Sequence, residues 1–519
     1  MKRRSFVKNV SLASFGVPFV FKNMQFEAVS KKLFEVPKSM EDRVLVIIRL
    51  NGGNDGLNTI VPLDQYDNLL LQRSNIILPE NDLIPIAGNN GMHPVMTGMA
   101  NMMNDGNLSI IQNVGYPEQN RSHFRSMDIW TTGMMDPDTT TGWLGRHFTA
   151  DHPNFPNGYP NNDYQDPFAI SMGYEVSATC QGLMANFSHT VVDPFDAANL
   201  PNSSAVNDGT YYGDHMEYLS GIIAQTNQYG GQINDAANAG NSLSSLYDSN
   251  NPLAEQLKNV ALMISGGLET KVYILNVNGF DTHDNQVLGS DTTLGTHANL
   301  MKQVSDAVYA FQDDLKLLGL EKRVAGMTFS EFGRQIASNA SDGTDHGDAA
   351  PLFLFGDCLE TSLYGPNPTI PAQVSNQAGL PMMIDFRDVY ASLLRFWFGV
   401  EDATVQSMFE HNVTYHNIIG GCNLSTEEQN NMTESLSSIV YPNPCGNNAT
   451  LKVNGEGGNV KIEIYDMQGR IMKSIFEGKL TIAAHHIPLE LDGLENGTYS
   501  IKIQQRNAAE SLQLIKMRN

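Results

Sequence analysis

The feature that most constrains the fold is a series of almost uninterrupted apolar runs in the first four-fifths of the chain. The first run reads VLVIIRL, and the runs lie at residues 44–50, 108–114, 271–278, 324–329 and 351–355. Continuous apolar runs are typical of strands buried on both faces, as in parallel sheets. Between two of the runs, apolar residues recur at helical spacing from Leu300 to Leu318, and Gly319 is placed to end that helix. This alternation predicts an α/β fold with a doubly wound, mainly parallel sheet.

The chain of 519 residues is long enough for several domains, and its character changes along its length. Residues 40–421 are predicted to form the α/β domain. Within it, residues 154–251 are rich in Asn, Gly, Asp and Ser, and we interpret them as an insertion or cap over the sheet. Residues 422–438 are polar and are predicted to be a linker. From 439 to 519, apolar and polar positions alternate, which predicts a small C-terminal β-sandwich.

Residues 1–30 are predicted to be an export signal. Lys2, Arg3 and Arg4 form a positive head, and the apolar stretch at 10–21 is too short to span a bilayer. The run RRSFVK at 3–8 resembles a twin-arginine signal, and an ordinary secretory signal that carries two arginines is the alternative. Because no later apolar run is long enough to span a membrane, we expect no transmembrane anchor in the mature protein.

The charge and the cysteines exclude several classes of protein. The formal net charge is −24, so the chain repels phosphate backbones and nucleic acid is not an expected partner. None of the four cysteines forms a C-x-x-C pair, which excludes a zinc ribbon and a thioredoxin motif. An exported chain can form disulfides, but the sequence does not reveal their pairing.

Polar loops follow the predicted strands at the ends where open parallel sheets bind ligands. The candidate metal ligands in these loops, and in one loop just before the last strand, are Asn54, Asp55, Asp281, His283, Glu331, Asp345 and His346. Carboxylates combined with imidazoles suit a divalent ion such as zinc, manganese, iron, calcium or magnesium. A bound ion of this kind activates water or a hydroxyl group for hydrolysis. Each motif alone reads as a turn with a capping aspartate, and only their repetition predicts a site.

Three further residues have two interpretations each. Ser122 is the candidate nucleophile, and it is equally well placed to cap the helix that follows it. The adjacent His123 is a candidate for the site and equally a packed histidine. Arg334 is a candidate for binding an anionic group of the substrate, and pairing with Glu331 across a helical turn is the alternative.

The main domain resembles the domain-of-unknown-function family 1501. The motifs that carry the resemblance, in chain order, are RLNGGNDGLN at 49–58, SHF at 122–124, GWLGR at 142–146, FDTH at 280–283, SEFGR at 330–334, GTDHG at 343–347 and DFRDVY at 385–390. That family resembles the alkaline phosphatase and sulfatase superfamily, which has a doubly wound α/β fold and a two-metal site. The resemblance implies a first ligand at Asp55 or Asn54, a ligand pair at Asp281 and His283, and a last histidine at His346.

The resemblance implies an exported metal-dependent hydrolase of phosphate or sulfate esters, acting on a small-molecule or glycan ester. Three departures qualify this. The superfamily's Asp-His pair appears here as Glu331-Phe332, so one histidine ligand is missing, and the Asp281-to-His283 spacing is shorter than the phosphatase pattern. No threonine or cysteine nucleophile of the family is recognisable, and Ser122 is only the best-placed hydroxyl. These changes also fit one metal instead of two, or no catalysis. The alternative is a non-catalytic surface protein that binds glycan or protein on the same scaffold.

The C-terminal segment resembles the type IX secretion sorting domain of the Bacteroidetes. Its motifs are YPNP at 441–444, YDMQGR at 465–470, GTY at 497–499 and KMR at 516–518. The resemblance implies recognition by the type IX machinery in the periplasm and export across the outer membrane. The protein is then secreted or attached to the cell surface once the tag is removed.

Overall fold

The computed structural model describes the greater part of the chain and divides it into two units, Met1–Asn423 and Leu424–Asn519. The described residues are 19–21, 24–26, 42–197, 209–375, 377–420, 422, 438–441, 443, 445–455, 458–466, 470–480, 483–505 and 508–517. Most of the predicted export signal and of the predicted linker therefore lies outside the described residues. No described helix is long and apolar enough to cross a membrane.

The strands of the first unit are β1 (Phe19–Phe21), β2 (Met24–Phe26), β3 (Val44–Asn51), β4 (Ile60–Pro62), β5 (Ile84–Ile86), β6 (Asn90–Met92), β7 (Leu108–Gly115), β8 (Ala169–Met172), β9 (Ser188–Val191), β10 (Val272–Asn278), β11 (Val324–Phe329), β12 (Ala350–Gly356), β13 (Leu363–Tyr364) and β14 (Ile384–Asp385). Its α-helices are α1 (Gly56–Thr59), α2 (Tyr66–Arg73), α3 (Thr97–Asn104), α4 (His123–Thr132), α5 (Trp143–Asp151), α6 (Tyr211–Ala239), α7 (Pro252–Ser265), α8 (Thr296–Leu318), α9 (Phe386–Ser392) and α10 (Asp402–Ser407).

A nine-stranded sheet organises the first unit, in the order β13-β7-β12-β11-β3-β10-β8-β9, with β14 beside β7. Pairing is parallel throughout except on either side of β12, which runs antiparallel to β7 and β11. The five apolar runs form β7, β12, β11, β3 and β10, so the predicted mainly parallel α/β fold is confirmed. The predicted helix is α8, and Gly319 ends it at φ +69°.

Helices cover both faces of this sheet because the side chains of each strand alternate between two cores. On β3, Val44, Val46 and Ile48 pack with α3, α7 and α8. Leu45 and Ile47 point the other way and pack with α4, α5 and α9. This arrangement explains why the run is apolar without a break: both faces of the strand are buried.

Two features differ from the sequence-based expectation. β12 runs against its neighbours, because the chain enters it from the edge where the parallel strands end. Residues 154–251 do not simply cap the sheet. They supply β8 and β9, which extend the sheet beyond β10 in parallel register.

A disulfide joins Cys358 to Cys422 near the end of the first unit. The two sulfurs link residues that are 64 positions apart, and so close the segment that contains β13, β14, α9 and α10. The sequence left the pairing open. Cys180 and Cys445 are free and buried.

The second unit consists of antiparallel β-strands, as predicted. One sheet has the order β15-β16-β19 and the other β18-β17-β20-β21. The strands are β15 (Ile439–Tyr441), β16 (Asn448–Gly455), β17 (Gly458–Tyr465), β18 (Ile471–Leu480), β19 (Ala483–Glu490), β20 (Gly497–Gln505) and β21 (Ala508–Lys516). Leu451 and Val453 of the first sheet share a buried core with Ile462, Ile464 and Ile501 of the second.

Candidate metal centre

Four loops of the first unit meet at one edge of the large sheet. Asp281 follows β10, Glu331 follows β11, and His123 begins α4 in the segment after β7. His346 precedes β12, but β12 is antiparallel, so its amino end lies at the same edge as the carboxyl ends of the others. The antiparallel strand therefore brings a histidine to the edge where open α/β sheets bind ligands.

A glycine permits the close approach of two of these loops. Gly52, directly after β3, has φ +124°, and a Cβ placed on it would lie 2.2 Å from the backbone nitrogen of Asp281. Any other residue would separate the loop after β3 from the loop after β10. The GG pair of the sequence is thus required by the packing that positions Asp281.

Three imidazoles converge on the carboxylate of Asp281. Its Oδ1 lies 3.0 Å from His346 Nε2 and 3.1 Å from His283 Nε2. Its Oδ2 lies 3.5 Å from His123 Nε2. The Nε2 atoms of His283 and His346 are 2.9 Å apart. We call these four residues the metal centre, and three of them, His123, Asp281 and His346, lie close enough together to share an ion.

Each imidazole is held from behind through its other nitrogen. His346 Nδ1 lies 2.9 Å from the backbone oxygen of Arg121. His123 Nδ1 lies 2.7 Å from Glu331 Oε1, and His283 Nδ1 lies 2.9 Å from Asp345 Oδ1. A carbonyl or carboxylate oxygen only accepts, so each Nδ1 carries a hydrogen, and in the neutral form of each ring Nε2 presents a lone pair on the side of Asp281.

This donor set fits a divalent cation. Without one, the lone pairs of His283 and His346 would face each other across 2.9 Å. Zinc bonds to imidazole nitrogen and carboxylate oxygen at about 2.0–2.1 Å, and tetrahedral ligands at that radius are about 3.3 Å apart. The ligand-atom separations at the centre bracket this value. Histidine ligands whose Nδ1 is bonded to a carboxylate or carbonyl are the usual arrangement at metal sites.

The electrostatics of the centre favour a cation as well. Burial alone raises the pKa of Asp281, but Arg334, together with the neighbouring His346 and His283, outweighs it and lowers the pKa to about 2. Burial lowers the pKa of His346, which keeps that ring neutral at pH 7. An ionised carboxylate beside a neutral imidazole is the protonation state that binds a metal.

Glu331 and Asp345, which the sequence proposed as ligands, lie behind the histidines instead. Glu331 is buried, and its Oε1 also accepts a 2.9 Å hydrogen bond from the backbone nitrogen of Gly52. Asp345 is half-exposed on the far side of His283. Both carboxylates orient an imidazole: Glu331 orients the neighbouring His123, and Asp345 orients His283.

Asn54 and Asp55 do not reach the metal centre. Asp55 is buried in a salt bridge with Arg73 at 2.9 Å and accepts a further 2.7 Å bond from Gln286. Burial raises the pKa of Asp55, but the charge of Arg73, the neighbouring His297 and the hydrogen bonds from Arg73 and Gln286 together lower it below its usual value, so the carboxyl group stays ionised and paired. Asn54 is equally buried, and its Oδ1 accepts from His297 Nε2 at 3.0 Å.

Arg334 is buried and donates through all three of its nitrogens to the protein, so it does not face a substrate anion. Its guanidinium is fully buried and donates to the carbonyl oxygens of Gly53, Thr344, Gly52 and Phe280, and to Asp281 Oδ1 at 2.7 Å. It does not pair with Glu331. Arg334 therefore joins the loops after β3 and β10 and keeps Asp281 ionised, in place of the predicted contact with substrate.

Ser122 is exposed at the rim of the centre, one residue before His123. It is the N-cap residue of α4, but its hydroxyl makes no capping hydrogen bond. Sequence reasoning left the role of His123 open. Its signal was the one used for the other loops: a histidine in the polar segment that follows a buried strand.

Comparisons with known families confirm both resemblances. Residues 225–409 match the model of a family described as protein of unknown function (DUF1501). Residues 439–517 match the secretion system C-terminal sorting domain. The first match includes the segments that contain Asp281, His283 and His346, whereas His123 lies before it. A search of curated proteins finds no match.

Several solved structures show a distant overall similarity. A protein in the alkaline phosphatase superfamily from Vibrio parahaemolyticus is 10% identical, with 92% of this chain and 91% of that chain covered and a TM-score of 0.32. The PsFucS1 sulfatase from Pseudoalteromonas sp. is 9% identical, with 86% and 83% covered and a TM-score of 0.29. The lipoteichoic acid synthase LtaP from Listeria monocytogenes is 12% identical, with 90% and 92% covered and a TM-score of 0.27. Similarity at this level says nothing about activity.

Proposed function

We propose that this protein is an exported, metal-dependent hydrolase of phosphate or sulfate esters. The observation that carries the proposal is the convergence of three Nε2 atoms on Asp281, in rings that are each fixed by a hydrogen bond at Nδ1. The choice of ester follows from the resemblance of the sequence motifs to the phosphatase and sulfatase superfamily.

The donor set favours a single zinc, manganese or iron ion over calcium or magnesium. Calcium and magnesium prefer oxygen ligands, and two of the three donors that lie close enough to share an ion are nitrogens. Among the described residues, one group of carboxylate and imidazole atoms is close enough to share an ion, formed by His123, Asp281 and His346. The proposal is therefore a one-metal centre, in contrast with the two-metal site that the resemblance implied.

The residues at the centre have different roles. His123, His346 and Asp281 would hold the ion, with His283 beside them, and the bound ion would supply Lewis-acid polarisation and an activated oxygen nucleophile. The Nδ1 partners hold each ring in its orientation. Asp281 is 45% exposed, so a substrate can reach the centre from solvent. Ser122, exposed at the rim, is the proposed alternative nucleophile.

Elemental analysis of the full chain, purified without chelator, tests the metal. We expect about one equivalent of a transition metal, lost in Asp281→Asn and His346→Asn together with hydrolysis of p-nitrophenyl phosphate or sulfate. His411→Asn is a matched control, because His411 also contacts an aspartate, Asp388, at 2.9 Å but lies outside the centre.

Two outcomes would contradict the hydrolase. One is a folded chain that takes up no metal even after reconstitution, which would favour the glycan- or protein-binding alternative. The other is a metal that stays bound in both variants, since the ion would then lie elsewhere.

The sorting domain at 439–517 indicates export. We propose that the type IX machinery carries the protein from the periplasm to the medium or the cell surface. Deleting residues 439–519 should leave the first unit in the periplasm, detected by fractionation and immunoblotting. Appearance of the truncated protein outside the cell would refute this route.

A further inference from the structure

Arg49 lies on the sheet beside the metal centre and has no assigned function. It is the sixth residue of β3, in register with Asn276 of β10 and Phe329 of β11. Leu45 and Ile47 of the same strand face the core that contains α4. Because side chains alternate along a strand, Arg49 faces the same side, which is the side of the helix that begins with His123.

The guanidinium of Arg49 has no hydrogen-bond or ion-pair partner among the described residues. Its Nε is buried without an acceptor, and the Oδ1 of the cross-strand residue Asn276 is buried without a donor. Every other arginine that the structure describes donates at least one side-chain hydrogen bond, namely Arg43, Arg73, Arg121, Arg125, Arg146, Arg323, Arg334, Arg387, Arg395 and Arg470. Leaving a buried charged donor unpaired is costly, so it calls for a partner.

The surroundings of Arg49 connect it to the centre. Its strongest electrostatic partners are Glu175 and Glu331, and Glu331 is the residue that holds His123. Glu175 is exposed, in the loop after β8, and Arg49 itself is only half-buried, so it is accessible from solvent. Trp130 of α4 stacks on Phe329, the cross-strand neighbour of Arg49, at a centroid distance of 5.1 Å. Burial lowers the pKa of Arg49, and the two carboxylates oppose this, so an anion would stabilise the charge further.

We propose that Arg49 binds the anionic oxygens of the phosphate or sulfate group while the metal centre acts on the ester. This inference rests on the proposed hydrolase function and names the residue that selects its substrate class. A guanidinium offers paired donors that match the oxygens of phosphate and sulfate. Arg334, which the sequence suggested for this purpose, is buried and donates to the protein through all three nitrogens, whereas Arg49 donates no hydrogen bond to the described residues.

The test uses the full chain with its metal and inorganic phosphate as the probe, measured by calorimetry and by inhibition of hydrolysis. Arg49→Gln should weaken phosphate binding about ten- to a hundredfold, because it removes a charge-assisted contact. Arg49→Lys should recover part of the loss, since it restores the charge without the fork of donors. Arg323→Gln removes the same charge at the opposite edge of the sheet, where its Nε donates to Asp42, and should bind phosphate like the wild type.

Arg49→Gln should also raise KM for a sulfate or phosphate monoester much more than it lowers kcat, with metal content unchanged. Phosphate affinity within about threefold of the wild type in a variant that keeps its metal would overturn the proposal. Loss of the metal in that variant would also overturn it, because Arg49 would then act on the centre itself.

The two proposals fail in different ways. Phosphate binding that depends on Arg49 in a chain without metal-dependent hydrolysis would retain the anion site and reject the enzyme. Metal-dependent hydrolysis that is indifferent to Arg49 would reject the anion site and retain the enzyme.

Discussion

Glu331 and Asp345 make the same contact with different histidines of the metal centre, and their difference in burial gives a sharp prediction. Each carboxylate accepts from the Nδ1 of one ligand, His123 at 2.7 Å and His283 at 2.9 Å. The Glu331 side chain is 2% exposed, whereas Asp345 is 50% exposed. We expect Glu331→Gln to weaken metal binding much more than Asp345→Asn.

The expected magnitudes follow from this burial. Replacing a residue that orients a metal ligand typically costs 10- to 100-fold in affinity, or about 1.4–2.7 kcal/mol. Glu331 should fall in this range, because a neutral amide accepts less strongly than a buried carboxylate. Solvent screens Asp345, and exposed ion pairs contribute about 0.2–1 kcal/mol, so its variant should lose no more than about fivefold.

Competition with a chromogenic zinc chelator measures both affinities at one pH. Thermal unfolding of the metal-free variants serves as the control for folding, and Gln at 331 keeps an oxygen that can accept from Gly52. Equal losses in the two variants, or a larger loss for Asp345→Asn, would refute the assignment of Glu331 as the principal orienting carboxylate.

Three further predictions concern stability. Arg73→Met leaves the buried carboxylate of Asp55 without its ion pair and should lower the free energy of unfolding, measured in urea, by roughly 3–5 kcal/mol. As the control, Lys302→Met removes an exposed ion pair and should change it by about 0.5 kcal/mol or less. Burial lowers the pKa of His297 from 6.5 to about 4. The contribution of the buried neutral ring to the free energy of unfolding is therefore complete above pH 6.5 and is lost as the pH falls through 4. His297→Gln should make the urea midpoint vary less with pH between about 6.5 and 4, and a pH dependence equal to that of the wild type would contradict this. Reduction of the Cys358–Cys422 disulfide, or replacement of both cysteines by serine, should cost about 4 kcal/mol because the loop it closes is long, and a thermal midpoint unaffected by reductant would argue against it.

The metal centre was predictable only in part. Asp281, His283 and His346 stand in short motifs next to buried strands, so local sequence was enough to select them. Glu331 and Asp345 stand in similar motifs, yet they lie behind the histidines and are not among the proposed ligands. That distinction depends on a few ångströms between residues that are distant in the chain, such as His123 and Glu331, and no local pattern encodes it.

The sequence by itself determined the α/β class, the positions of the buried strands and the β-rich C-terminal unit. The reason is that burial on two faces, or on alternate residues, must be written into consecutive side chains. Only the tertiary structure decided that β12 runs antiparallel and that Asp55 forms an ion pair with Arg73. It also decided that Arg334 donates to backbone carbonyls and that Arg49 is left with free donors. A charged side chain does not reveal its partner, because pairing depends on which loops the packed sheet brings together.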